Sequence, residues 1–157
     1  MRKRIIAPVQ QEPAAPDQGW LKVEALAEVE ITSEDPAHPI EAALLPGGAS
    51  GWRAAEPGPQ TIRLRFTDPQ RLRRIWLRFV EARMARTQEY VLRWSADGGQ
   101  SFRDLVRQSW NFSPHGATGE TEDHHVELPA VTVLELSIIP DISGGTAVAS
   151  LAQWRLA

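Results

Sequence analysis

The chain contains no cysteine, so disulfide bonds and thiolate metal sites are excluded outright. It also lacks any apolar run approaching the roughly 20 residues that a membrane-spanning helix needs. It lacks a strong excess of one charge. The formal net charge is −3 and the pI about 5.8, so no global basic signal points to nucleic acid. No G-x-S-x-G elbow, P-loop or GxGxxG fingerprint is present. The chain opens basic, but the apolar stretch Ile5-Ile6-Ala7 stops at Pro8. That is short of the roughly 7–15 residues of a signal-peptide core, and an untargeted, cytoplasmic start is the expectation.

What is present points to β structure. The 157 residues suit one domain able to bury a sizeable core. Eleven Gly and 12 Pro are spread along the chain, and six Trp supply large apolar faces, each with one donor. Residues 1–19 are rich in Pro, Gln and Ala without an apolar period and read as a flexible tail, with the domain running over 20–157. From there, side chains alternate. Segment 22–31 places Val23, Ala25, Ala27, Val29 and Ile31 on one face, with Leu26 the apolar exception on the other. Segment 61–66 turns Ile62, Leu64 and Phe66 inward, and 72–80 does the same with Ile75, Leu77 and Phe79. Tyr90, Leu92 and Trp94 align in 87–95, and Val106, Gln108 and Trp110 in 102–111. Further runs follow at 124–128, 131–139 and 147–156. Period two is the mark of half-buried strands. Asp68-Pro69, Asp97-Gly98-Gly99, Pro129 and Ser143-Gly144-Gly145 separate the runs as turns. About eight short strands at this spacing predict an all-β, antiparallel jelly-roll sandwich. One short helix is expected at 39–45, before Pro46-Gly47-Gly48.

Three stretches carry a resemblance. GWRAAEPGPQTIRLRF (51–66) resembles the entry of discoidin, or F5/8 type C, domains, where a Trp precedes a turn and an alternating strand. EYVLRWSADGGQSFRDLV (89–106) is similar to the family's next signature, a strand ending in Ser, an Asp-Gly hairpin and an aromatic. SLAQWRLA (150–157) resembles its last strand. The resemblance covers about residues 20–157 and implies a galactose-binding-like jelly roll, a carbohydrate-binding module type whose members bind sugars, lipid headgroups or proteins. Two departures matter. The loop 45–51, where many members hold calcium, has no carboxylate here, and the closing-strand Glu is replaced by Gln153. Calcium wants six to eight oxygens, some of them anionic, so no metal and no cofactor is expected. The cysteine pair of extracellular members is absent as well, which favours an intracellular life.

Antiparallel connectivity places a site. Loops 82–86, 110–122 and 141–146 should share one end of the sandwich with Trp52 and Arg53, and hairpins 67–70, 97–101 and 129–131 the other. The first set is the longer and chemically richer, and binding concentrates in such loops. A sugar needs an aromatic face and fixed hydrogen-bonding groups. Trp52, Arg53, Arg83, Arg86, Trp110, Asn111 and His115 are therefore the candidate ligand-binding residues, with Arg86, Asn111 and one of the two tryptophans at the centre. The expected partner is a carbohydrate or other small polar ligand, with neither nucleic acid nor membrane.

A rival reading uses a sheet face. Arg63, Arg65, Arg74 and Arg78 project outward around an outward Trp76, a pattern suited to docking a protein or a second copy, although for the arginines alone a solvated face balanced by Glu24, Glu28 and Glu30 is the simpler reading. Catalysis has little support. Adjacent His124 and His125 point to opposite faces of a strand and cannot chelate together, and Glu81 with Glu89 is the one candidate carboxylate pair. The expectation is a non-catalytic binding module.

Overall fold

A computed structural model of the chain describes residues 1–4, 19–47 and 50–157. Most of the expected tail therefore lies outside the described residues, as do Gly48 and Ala49 of the loop before Trp52. The elements in chain order are α1 (Val23–Leu26), β1 (Ala27–Ile31), α2 (Glu41–Leu44), β2 (Trp52–Pro57), β3 (Gln60–Val80), β4 (Arg86–Ser95), β5 (Arg103–Phe112), β6 (Gly119–Ile139), β7 (Val148–Leu151) and β8 (Gln153–Leu156). All the strand pairs are antiparallel, and the expected all-β sandwich is what forms, with α2 inside the predicted 39–45 helix.

Two strands of 21 residues organise it. β3 and β6 pair along their whole length, Gln60 opposite Ile138 and Val80 opposite Gly119. Here the structure corrects the sequence reading. Neither Asp68-Pro69 nor Pro129 closes a hairpin; 61–66 and 72–80 are two halves of β3, and 124–128 and 131–139 two halves of β6. The ladder slips register between Arg65 and Arg74, and both prolines fall within that slipped stretch. A bulge tolerates a residue without an N–H and bends the strand. The pair therefore crosses together from one layer to the other. One layer is β1, the first half of β3, the second half of β6, β4 and β5; the other is the first half of β6, the second half of β3, and β8. Ile62 and Leu64 from the first meet Ile75 and Leu77 from the second in one core, with the Phe79 and Tyr90 rings 5.2 Å apart across it.

Three other expectations shift. In 22–31 only Ala27–Ile31 is extended. Val23–Leu26 makes a helical turn, so Leu26 packs on the core and Ala25 faces water. Segment 147–156 breaks at Ala152, whose amide donates to Arg78 O at 2.9 Å. Its buried parity changes there, from Ala149 and Leu151 to Trp154 and Leu156, so β7 pairs with β2 while β8 pairs with β3. β2 itself had no alternating signal.

The third shift concerns the proposed docking face. Trp76 is only 3% exposed. Its cross-strand neighbour Arg155 reaches beneath α2, donating to Ala43 O at 2.7 Å and Leu45 O at 3.1 Å. The outer side of this layer is covered there, so Trp76 is packed rather than presented. The bend in β3 also divides the arginines, leaving Arg63 and Arg65 on the outside of one layer and Arg74 and Arg78 on the outside of the other. No single stripe forms. Arg63 pairs with Glu135 (2.7 Å), Arg65 with Glu30 (2.5 Å) and Arg74 with Asp123 (2.6 Å), while Arg78 donates to Thr121 (3.0 Å).

The longer loops gather at one end as expected, while 67–70 and 129–131, expected as hairpins of the other end, lie within β3 and β6. At that first end, Glu81 N donates to Thr118 O (2.8 Å), Ile142 N to Thr87 O (2.9 Å) and Gly58 N to Ala147 O (3.3 Å). The stretches 81–86, 113–118 and 140–147 thus meet at a single rim. Arg53, opposite Ser150 in the β2–β7 ladder, reaches the same rim, because Ser150 Oγ lies 3.5 Å from Val80 O. At the other end the Asp97 turn is built as its residues suggest: Gly98 and Gly99 take φ of +75° and +93°, and Ser95 and Ser101 hydroxyls donate to the Asp97 carboxylate.

A candidate binding rim

A shallow basin of about 310 Å3 opens at the first rim, lined by Ala85, Arg86, Thr87, Asn111, Phe112, Asp141 and Ser143. Strand alternation decides which side chains reach it. Thr87 and Asn111 face each other across the β4–β5 ladder on its outer side, and Thr87 Oγ1 donates to Asn111 Oδ1 at 2.6 Å. That bond leaves the Asn111 amide NH2 with no partner among the described residues. From 140–147, Asp141 Oδ1 accepts Ser143 N (3.1 Å) and Oγ (2.7 Å), which pulls its pKa below the usual carboxylate range.

Arg86 is the strut under the basin. Its side chain is 1% exposed. Nη1 donates to Pro140 O at 2.6 Å, Nη2 lies 3.3 Å from Glu81 Oε2, and the guanidinium stands 5.4 Å over the Phe112 ring. Burial pushes its pKa down while Glu81 pulls it up. Glu81 in turn accepts the Arg83 and Met84 amides at 2.8 and 3.1 Å. One carboxylate and one guanidinium therefore tie 81–84 to 140, and Arg86 positions the rim more than it presents donors to it. Arg83 is exposed on the loop above, and Arg53 is close enough for its charge to act on Arg86. His115 is exposed in 113–118, whose turn is closed by Ser113 N donating to Ala117 O at 2.9 Å.

The two tryptophans considered for the site are elsewhere. Trp52 is 1% exposed and its Nε1 donates to Ser33 O at 3.1 Å, so it is a core residue. Trp110 is 37% exposed, but it pairs with Gln88 and shares that residue's inward face, opposite to Asn111. The basin thus combines Arg86 with Asn111, as expected, without either indole.

The inward face beside Trp110 carries polar residues that the sequence reading passed over. Gln88 is 1% exposed and its amide has no hydrogen-bond partner among the described residues. Facing it from β6 are Glu120, Glu122 and His124, with the Tyr90 hydroxyl sharing a 2.8 Å hydrogen bond with His124 Nε2. Burial first, then the hydrogen bond and charge of Glu122, push Glu120 up to about 9. Burial and the two carboxylates also hold the Tyr90 phenol protonated above its usual range. The signal was available: extending the Tyr90–Trp94 alternation backwards puts Gln88 and Arg86 inward, and extending Val126–Leu128 backwards does the same for His124, Glu122 and Glu120. Glu81 and Glu89 are not paired, since Glu81 serves Arg86 and Glu89 meets Arg107 at 2.5 Å. No cluster of three metal-ligating side chains occurs among the described residues.

No family model and no curated protein matches the chain. Solved structures match it in fold. A CBM32 module from Clostridium perfringens, in complex with GalNAc-β-1,3-galactose, superposes with a TM-score of 0.62 at 20% identity, over 88% of this chain and 99% of that one. The family 32 module of C. perfringens NanJ, in complex with galactose, gives 0.63 at 13% identity over 87% and 96%. Reduced XRCC1 bound to the DNA polymerase β catalytic domain gives 0.61 at 15% over 84% and 95%. The chain therefore has the jelly-roll architecture of family 32 carbohydrate-binding modules.

Proposed function

We propose that this domain is a non-catalytic carbohydrate-binding module that takes its ligand at the rim holding Thr87, Asn111, Asp141 and Ser143. The observation that carries the reading is the convergence of 85–87, 111–112 and the stretch with Asp141 and Ser143 on one basin whose lining mixes an amide, hydroxyls and a carboxylate. Sugar hydroxyls are each donor and acceptor, and such a mixture matches them. A rigid sandwich beneath mobile-length loops is the usual host for that arrangement. The fold neighbours in complex with galactose and with GalNAc-β-1,3-galactose support the ligand class, and the discoidin-type motifs of the sequence accord with it. A larger hollow of about 400 Å3 between β1 and α2 is lined by aliphatic residues and three glutamates, with no aromatic ring or amide, and fits a sugar less well. The rival docking face loses its anchor with Trp76 buried.

The test is a glycan array probed with the full chain and with Asn111→Ala and Asp141→Ala variants. Retained sugar binding by the wild type that both variants lose supports the rim. Binding unaffected by either variant contradicts it.

A further inference from the structure

Between the two layers lie polar groups that the described residues do not satisfy. Gln88 and Glu120 are 1% and 5% exposed. Neither Oε1 nor Nε2 of Gln88 has a hydrogen-bond partner among the described residues, and nor has Glu120 Oε2. A buried polar group left unpaired is costly, so each such group needs a reason. Strand geometry brings these two together. Tyr90, two residues from Gln88 on the same face of β4, shares its 2.8 Å hydrogen bond with His124 Nε2, which stands 3.7 Å from Glu122 Oε2. Phe79, the cross-strand partner of Glu120, packs its ring 5.2 Å from that of Tyr90. The place is reached from the side of the sandwich. β5 is the last strand of its layer, and the first half of β6 is paired with β3 alone among the described residues, so the layers part between these two edges. Trp110, opposite Gln88 in the β4–β5 ladder, stands at the opening, and the Glu122 and His124 side chains are partly exposed there.

We infer that this side cleft binds a primary ammonium group, whose three N–H bonds are accepted by Gln88 Oε1, Glu120 and Glu122 while the Trp110 ring faces its charge. The site is distinct from the rim and independent of the carbohydrate reading, since Trp110 and the rim's Asn111 lie on opposite faces of β5. The chemistry follows from what is present and what is missing. An indole attracts a cation over its ring, and bonds from an ammonium to a carboxylate are charge-assisted. Arg86, the next residue on this face of β4, is engaged by Glu81 and by Pro140 O, and Glu120 forms no ion pair among the described residues. Burial and then Glu122 hold the Glu120 proton up to about 9, which marks a carboxyl that no cation compensates. An ammonium takes that proton's place and releases it to solvent. Among the described residues no three side chains gather closely enough to hold a metal ion instead.

The experiment titrates the full, isotope-labelled chain with three probes of similar shape at neutral pH: n-butylammonium, butanol and butyltrimethylammonium. The first carries charge and three donors, the second one donor without charge, the third charge without a donor. The expected result is saturable NMR shifts of the Gln88 side-chain amide and the Trp110 indole N–H with butylammonium, at an affinity about tenfold above that of either analogue. Glu122→Gln, an isosteric change at a partly exposed side chain, should remove that advantage while the remaining amide fingerprint stays in place. Trp110→Ala, at the strand edge, should weaken butylammonium severalfold. Equal affinities for the three probes, shifts that spare both Gln88 and Trp110, or butylammonium binding that neither variant weakens would each overturn the inference.

Discussion

Replacing Arg86 by Ala tests how the rim is held together. The side chain is buried and makes three distinct contacts: a 2.6 Å hydrogen bond to Pro140 O, a 3.3 Å ion pair with Glu81 and a stack over Phe112. Removing one partner of a buried pair costs about 3–5 kcal/mol, because the other charge is left without compensation. Glu81 keeps two backbone donors, the Arg83 and Met84 amides, so the lower end of that range applies, about 3 kcal/mol. In a domain of this size 1 kcal/mol moves the midpoint by about 2–4 °C, so Arg86→Ala should lower Tm by about 6–12 °C. Differential scanning calorimetry reads this directly. The double variant Arg86→Met with Glu81→Gln removes both charges and keeps the volume, and should recover at least half of the loss, as apolar replacements of buried pairs commonly do. A drop of less than about 2 °C for Arg86→Ala, or single-variant losses that simply add in the double, would refute the strut.

Other consequences can be measured separately. Trp76→Ala should destabilise the domain by about 3–5 kcal/mol in chemical denaturation, as for a large core side chain, and leave its size in light scattering unchanged; a purely surface residue would cost almost nothing. Glu120 is an acid whose pKa is raised on folding, so its contribution to stability is fully present below its ordinary value of 4.5 and is lost as pH rises towards about 9. Wild-type Tm should therefore fall across that window beyond what the rest of the chain produces, and Glu120→Gln should flatten the fall and stabilise the protein at pH 8. Gly51 has φ of +69°, and a Cβ there would stand 2.4 Å from Leu151 O. Gly51→Ala should cost at least about 2 kcal/mol, read as a lowered urea midpoint.

The sequence made the layers legible because period-two burial survives in nearly every strand: Ile62, Leu64 and Phe66, or Tyr90 and Leu92, are buried where alternation puts them. It made the rim legible because antiparallel chain reversal fixes which loops share an end. What it hid were events that alternation cannot encode. Asp68-Pro69 and Pro129 look like turns locally, and only their meeting across the β3–β6 ladder turns them into one bend. Trp76 sits on an outward position by parity, but α2, distant in sequence, closes over that side. Trp110 shows the converse. It lies on the inward face of β5, yet β5 is the edge of its layer, so the indole stays partly open to solvent. The candidate site divided for the same reason: Asn111 and Trp110 are neighbours in sequence and therefore opposite in a strand. Arg86 was found, but as a buried strut, since nothing in its local sequence announces Glu81 or the Pro140 carbonyl as partners.

The most direct measurement of the rim claim is an amide chemical-shift map of the full chain titrated with a sugar that binds it. The account predicts saturable shifts at Ala85, Thr87, Asn111, Asp141 and Ser143, with the opposite end, residues 97–101, unmoved. Shifts concentrated at 97–101, or in the hollow between β1 and α2, would contradict it.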